Sequence, residues 1–166
     1  YRLHRAVILF MTILLTGCSG RKEPVSKTDF VMDTVATISI YDDIGKSEAD
    51  EILDGCFMEI RRYEGLFSAE IPDSDVSKIN QSGGEDVNIH EETAELLKIA
   101  IRYSELTNGA FDITIRPVSK LWDFKSGEDR IPDDIDIKNA LRHVDYRNIL
   151  LDTEAMSVSL KDPEAE

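Results

Sequence analysis

The segment of the chain best suited to chemistry runs from Thr107 to Pro117, where a predicted helix ends at a glycine and a predicted strand begins. It places an aromatic face (Phe111), a carboxylate (Asp112) and a hydroxyl (Thr114) beside the backbone amides that follow Gly109. Such a junction brings these groups to the mouth of a sheet, where they suit a planar ligand that carries hydroxyl groups. The same residues also fit a plain helix-to-strand turn with Phe111 in the core, so the pattern leaves both interpretations open.

Three other segments resemble binding or catalytic motifs but are incomplete. His90-Glu91-Glu92-Thr93-Ala94 begins like the helix of a zinc protease, yet Ala94 stands where the second His ligand belongs. Gly83-Gly84 lacks the Lys and Ser/Thr of a P-loop. Asp133-Asp134-Ile135-Asp136 lacks the glycine and the distal Glu of an EF-hand loop. The sequence therefore excludes these three kinds of site.

The N-terminus has the pattern of an export and lipidation signal. Arg2 and Arg5 precede ten nearly all-apolar residues, 6–15, and a helix needs about 20 residues to cross a bilayer. Leu15-Thr16-Gly17-Cys18 then resembles a bacterial lipobox, in which the cysteine thiol receives a diacylglycerol. We expect a signal peptide over residues 1–17, a lipid on Cys18 and a flexible tether over 18–28. This pattern predicts an exported lipoprotein, anchored on the outer face of the cell membrane or on its periplasmic side.

The net charge and the cysteine content indicate which binding partners and which covalent bonds the chain can have. The 166 residues include 19 Lys and Arg and 33 Asp and Glu, which gives a formal net charge of −14. A negative charge of this size repels a phosphate backbone. Nucleic-acid binding is therefore disfavoured. Cys18 and Cys56 are the two cysteines, so a lipidated Cys18 leaves no pair for an intramolecular disulfide. Cys56 lies in a helical apolar stripe, which favours a packing role over a nucleophilic one.

Residues 29–166 alternate strand and helix patterns, which predicts a mixed α+β domain. A period of two indicates a strand, and apolar residues three and four apart indicate helices. Ser47 is the expected N-cap of the first helix. The predicted elements are a strand Met32–Tyr41, a helix from Ser47 to Phe67, one or two helical turns over 75–80, a helix Glu91–Thr107, a strand Phe111–Ile115, a helix Asp133–Val144, and a hairpin of Ile149–Asp152 with Ser157–Leu160.

Several spaced motifs together resemble the ApbE family of FAD:protein FMN transferases. The matching segments, in chain order, are Met32-Asp33-Thr34, Leu66-Phe67-Ser68, Asp73 to Asn80, Gly109 to Thr114, Leu121-Trp122-Asp123-Phe124 and Ile131-Pro132 with the helix through Leu141. The resemblance implies an ApbE-like mixed β-sheet with amphipathic helices packed on it. It also implies that the FAD site includes Met32, Glu70, Ala110, Phe111 and Asp112. Many relatives have Tyr at the position of Glu70, and a carboxylate cannot stack on a flavin.

The same resemblance implies a Mg²⁺-dependent reaction in which FMN passes from FAD to a Thr or Ser of an acceptor protein and AMP leaves. Acceptors of this kind are membrane redox subunits or exported flavoproteins. The metal ligands of the family lie beyond the position of Glu166, so we expect 29–166 to be the N-terminal part of the transferase domain and to be inactive alone. An FAD pyrophosphatase and a non-enzymatic flavin-binding lipoprotein remain open alternatives, because nothing before Glu166 distinguishes water from a protein hydroxyl as acceptor.

Overall fold

The computed structural model describes residues 23–124, 126–127 and 130–166. The predicted signal peptide, Cys18 and the first part of the predicted tether lie outside these ranges. The described residues fall into two compact units, divided between Glu59 and Ile60. Within them, no helix is both long enough and apolar enough to cross a membrane.

The first unit contains a β-hairpin where the sequence predicts a single strand. Strand β1 (Val25–Val31) pairs antiparallel with β2 (Thr34–Ile40). Met32 and Asp33 join them with φ angles of 51° and 56°, the left-handed pair that a tight hairpin turn requires. The predicted flexible tether is therefore wrong from Val25 to Thr28, and the predicted strand starts two residues early. Two polar residues of β1 pair with β2 through their hydroxyls, Ser26 with Ser39 and Thr28 with Thr37, each at 2.8 Å.

The long helix that the sequence predicts is confirmed as α1 (Lys46–Phe67). In the first unit it buries one stripe at four-residue spacing, formed by Ala49, Leu53 and Phe57. The helix begins one residue before Ser47, so the predicted N-cap lies in the first turn instead. Cys56 is half-buried in α1, and this degree of burial fits its predicted packing role.

The second unit is built around a three-stranded antiparallel sheet. Its elements are α2 (Asp75–Gln81), β3 (Val87–Asn88), α3 (Glu91–Leu106), β4 (Ile149–Asp152) and β5 (Ser157–Leu160). The sheet order is β3-β5-β4, with Val158 opposite both Val87 and Leu151. The buried core cluster comprises Ile79, Ile89, Ala94, Val158, Leu160 and Ala165. The predicted hairpin, the predicted helical turns over 75–80 and the predicted helix Glu91–Thr107 are confirmed.

The predicted strand Phe111–Ile115 is wrong, because these residues form a turn that leads into a short helix, α4 (Arg116–Ser119). The carboxylate of Asp112 accepts a hydrogen bond from the backbone N–H of Thr114, which bends the chain locally. Pro117 lies in the first turn of α4, where its fixed φ favours a helix start. The helix predicted over 133–144 is confirmed as α5 (Asp134–Ala140), which continues as a 3₁₀ turn, Leu141–His143.

A buried carboxylate, Asp75, fastens the start of α2 to the start of α3. Its side chain is 1% exposed and accepts hydrogen bonds from the His90 N–H at 2.8 Å and the Thr93 hydroxyl at 2.6 Å. The ring nitrogen Nδ1 of His90 lies 3.0 Å from the same carboxylate. Burial raises the pKa of Asp75, but the hydrogen bonds from Thr93 and His90 outweigh it and hold that pKa below 3.8.

We expect Asp75→Asn to lower the free energy of unfolding at pH 7 by about 2 kcal/mol, because hydrogen bonds to a charged group are lost. A folded-state pKa below the unfolded value makes the carboxylate stabilising above pH 3.8 and removes that stabilisation as the pH falls through the folded-state pKa. Denaturant titrations at pH 7 and at pH 3 measure both effects. The exposed neighbour Asp73, changed to Asn, is the matched control, and equal losses in the two variants would contradict the assigned role of Asp75.

Candidate functional site

The candidate site is the turn from Gly109 to Arg116, which begins where α3 ends. Asn108 and Gly109 both adopt positive φ, 52° and 79°, and the Gly109 N–H donates to the Ser104 carbonyl at 2.8 Å. This closes the helix as the sequence predicts for a glycine in the left-handed region. The Phe111 N–H then donates to the Thr107 hydroxyl at 3.1 Å. The start of the turn is therefore tied to the last turn of the helix.

The carboxylate of Asp112 holds the rest of the turn. Its Oδ1 accepts from the N–H and the hydroxyl of Thr114, at 2.9 and 2.7 Å. Its Oδ2 accepts from the Tyr146 N–H at 2.9 Å. The Thr114 hydroxyl oxygen in turn accepts from the Asp145 N–H at 2.9 Å. Two turns more than 30 residues apart are joined in this way, and Asp112 acts within the chain as a positioning residue.

The turn borders two recesses of different chemistry. Phe111 is 46% exposed and lines a largely apolar cavity of about 270 Å³, together with Ile113, Leu97 and Val158. A polar recess of about 460 Å³ is lined by residues that include Gly109, Asp112, Tyr146 and Arg147. An aromatic ring and a polar edge are therefore presented within a few residues of each other. A ligand with a flat apolar ring and polar substituents matches this arrangement.

The polar recess contains a tight ion pair between Asp145 and Arg147. The guanidinium donates to both carboxylate oxygens, at 2.7 and 2.8 Å. These hydrogen bonds hold the pKa of Asp145 below its usual value and raise the pKa of Arg147. The pair is therefore ionised at neutral pH, and its geometry is the bidentate one that favours an Arg–carboxylate contact.

A network of four charged side chains meets on α4 and the 3₁₀ turn Lys120–Trp122 that follows it. Arg116 donates to Glu70 at 3.0 Å and to Glu166 at 3.1 Å, and Lys120 pairs with the other oxygen of Glu166. No motif in the sequence predicts this network. The one local signal was the four-residue spacing of Arg116 and Lys120, which places two cations on the same side of a helix.

The structure places the residues implied by the resemblance in both units. Glu70, Ala110, Phe111 and Asp112 belong to the second unit, where Glu70 reaches α4 through Arg116. Met32 belongs to the first unit, at the hairpin turn, with its side chain 46% exposed. Among the residues that the structure describes, no three His, Cys, Asp or Glu side chains are arranged to hold a metal ion.

Comparison with known proteins identifies the family. The sequence model of the ApbE family matches residues 32–166. Among curated relatives, the FAD:protein FMN transferase of Treponema pallidum is 27% identical over 138 residues, which are 81% of this chain and 38% of that protein. One from Klebsiella pneumoniae is 31% identical over 111 residues, 66% of this chain and 35% of that protein. The chain thus spans well under half the length of these relatives.

Solved structures agree in fold. The crystal structure of the ApbE protein of Thermotoga maritima superposes with a TM-score of 0.78 at 30% identity, covering 87% of this chain and 46% of that one. The H257G mutant of the flavin transferase ApbE from Vibrio cholerae gives a TM-score of 0.74 at 23% identity, covering 86% and 49%. The fold is therefore the mixed α+β architecture of the ApbE flavin transferases, as predicted. The chain belongs to the ApbE family.

We expect Asp112→Ala to lower the free energy of unfolding by about 2 to 3 kcal/mol, because Thr114 and Tyr146 lose their charged acceptor. Amide exchange at Tyr146 should become faster, since its N–H donates to Asp112. Denaturant unfolding and NMR-detected hydrogen exchange measure the two effects. Asp86→Ala, at an exposed position, is the control, and a protected Tyr146 amide in the Asp112 variant would contradict this account of the turn.

Proposed function

We propose that the protein transfers FMN from FAD to a Thr or Ser hydroxyl of an acceptor protein. In this reaction the hydroxyl oxygen forms a bond to the phosphorus of the FMN half, and the bond from that phosphorus to the bridging oxygen breaks. AMP leaves with that oxygen, and the hydroxyl proton goes to a base. The names of the curated relatives and membership of the ApbE family support this proposal.

The observation that carries the proposal is the half-exposed ring of Phe111 on a rigid turn. An aromatic side chain that remains 46% exposed beside an apolar cavity is available to a flat ligand such as a flavin ring. Its backbone is held by Thr107 on one side and by the Asp112 network on the other. A preorganised contact surface of this kind loses little entropy when a ligand binds.

The proposed transfer of FMN from FAD requires magnesium, but no residue of this chain is proposed to bind it. A divalent cation neutralises the pyrophosphate charge in phosphoryl transfer. The donor set found in residues 23–124, 126–127 and 130–166 does not fit such an ion, because no three suitable side chains converge. We therefore assign no residue of this chain as a magnesium ligand and derive no step through the metal.

The test is incubation of the complete gene product with FAD, Mg²⁺ and a candidate acceptor protein, followed by denaturing electrophoresis. We expect fluorescence that comigrates with the acceptor, together with free AMP. Free FMN without labelled acceptor would identify a pyrophosphatase instead, and unchanged FAD that remains bound would identify a flavin-binding protein.

Phe111→Ala tests the observation behind the proposal. We expect it to weaken FAD binding about five-fold, the equivalent of about 1 kcal/mol for a lost aromatic contact. The matched control is Phe124→Ala, because Phe124 is 81% exposed and lies outside the turn. Fluorescence quenching measures both dissociation constants. If the two variants bound FAD equally well, Phe111 would have no part in the site.

We also propose that the mature protein is exported and anchored to the membrane by a lipid on Cys18. The support is in the sequence: a basic start, ten mostly apolar residues and the segment Leu15-Thr16-Gly17-Cys18. The anchor places the enzyme beside membrane redox subunits and exported flavoproteins, which are the acceptors that we expect.

We expect Cys18→Ala to abolish acylation and release of the signal peptide. Metabolic labelling with a fatty acid, combined with detergent partitioning, measures the lipid. Cys56→Ala is the control, because Cys56 is the other cysteine of the chain. This variant should still carry the fatty-acid label on Cys18. A Cys18 variant that is still cleaved after Gly17 and still partitions into detergent would show that the lipobox assignment is wrong.

A further inference from the structure

Two cations and two carboxylates converge at the rim of the apolar cavity. Glu166 bridges the cations, with Oε2 accepting from Nε of Arg116 at 3.1 Å and Oε1 paired with the Lys120 ammonium. Glu70 accepts from Nη2 of the same guanidinium at 3.0 Å. One carboxylate is thus held by two positive side chains, one at each oxygen. This is the arrangement that also suits the oxygens of a phosphate.

The cation pair lies beside the surface that presents Phe111. Glu166 lines the same cavity as Phe111 and Thr114, and Arg116 follows Thr114 by two residues. A flat ring against Phe111 would therefore direct a neighbouring anionic group of the same molecule toward Arg116 and Lys120. The flavin and the phosphoanhydride of FAD have this relation.

Electrostatics favours a dedicated site for that anion. The chain has a formal net charge of −14, which repels a pyrophosphate unless cations are placed locally. Arg116 and Lys120 are partly exposed, at 33% and 49% of their side-chain surface. Ion pairs at such exposure are screened by solvent and contribute little to stability, so exchanging a carboxylate for a phosphate costs little.

We propose that Arg116 and Lys120 bind the phosphoanhydride of FAD, and that Glu70 and Glu166 hold the two cations in place until phosphate oxygens replace these carboxylates. The inference rests on the proposed function for the identity of the ligand. It assigns Arg116 and Lys120 as ligand-binding residues and the two glutamates as positioning residues. It also gives Glu70 a role that needs no stacking on the flavin.

The test compares FAD binding to the complete gene product and to its Arg116→Gln, Glu70→Gln and Arg62→Gln variants, by fluorescence quenching without metal. We expect Arg116→Gln to raise the dissociation constant about ten-fold and to flatten its dependence on salt. Glu70→Gln should lower the constant about three-fold, because a competing carboxylate is removed. Arg62 pairs with Glu92 elsewhere in the second unit. Arg62→Gln should therefore change the dissociation constant for FAD less than two-fold.

A second probe separates this inference from the proposed function. Inorganic pyrophosphate alone should raise the melting temperature of the parent protein and of Arg62→Gln, and should leave that of Arg116→Gln unchanged. Circular dichroism confirms that each variant is folded, and Arg116→Lys, which keeps the charge, should regain part of both effects. FAD binding that is identical in the parent and in Arg116→Gln would overturn the inference and leave the proposed function standing. A parent protein that binds pyrophosphate but no FAD would instead overturn the flavin assignment.

Discussion

The structure of the site depends on one carboxylate that accepts three hydrogen bonds. Asp112 accepts hydrogen bonds from the N–H and the hydroxyl of Thr114 and from the N–H of Tyr146, so it ties the turn after Gly109 to a segment more than 30 residues away. A charged acceptor with a donor on each oxygen stabilises the backbone shape of the turn, because hydrogen bonds to a charged group are stronger than neutral ones. The aromatic ring of Phe111 and the cation Arg116 lie on either side of it in sequence. Phe111 is held in addition by the Thr107 hydroxyl, and Arg116 by Glu70 and Glu166.

Asp75 provides the same kind of anchor at the other end of α3. It is nearly inaccessible, and donors from Thr93 and His90 outweigh the cost of its burial. The two aspartates thus fix both ends of the helix from which the candidate site begins, one through the N-terminus and one through the turn that follows the C-terminus. Between these anchors Ala94 of α3 joins the core cluster of Val158 and Leu160, and Leu97 packs against that cluster. Polar anchors therefore position the helix, and apolar burial stabilises it.

Sequence periodicity predicted the elements whose stability comes from an apolar face, such as α1, α3 and the β4–β5 hairpin. It failed at β1 and at the turn from Phe111 to Ile115, for different reasons. Strand β1 is rich in polar residues and is stabilised by pairing with β2, which no local pattern reveals. The segment Phe111 to Ile115 alternates apolar and polar residues as a strand does, but the Asp112 side chain diverts the backbone. The Arg116 network joins residues 46 and 50 positions apart, so only the folded chain brings it together. Family resemblance, by contrast, is what implies Phe111 and Asp112 as site residues, and their contact with FAD stays a prediction.

We propose the turn after Gly109 as a preorganised flavin surface whose neighbouring cations receive the phosphates. The most direct measurement is a crystal structure of the complete gene product with FAD. We expect the flavin ring to lie against Phe111, phosphate oxygens to lie within hydrogen-bond distance of Arg116, and Asp112 still to accept hydrogen bonds from Thr114 and Tyr146. FAD bound at another surface, with Phe111 and Arg116 arranged as they are here, would contradict it.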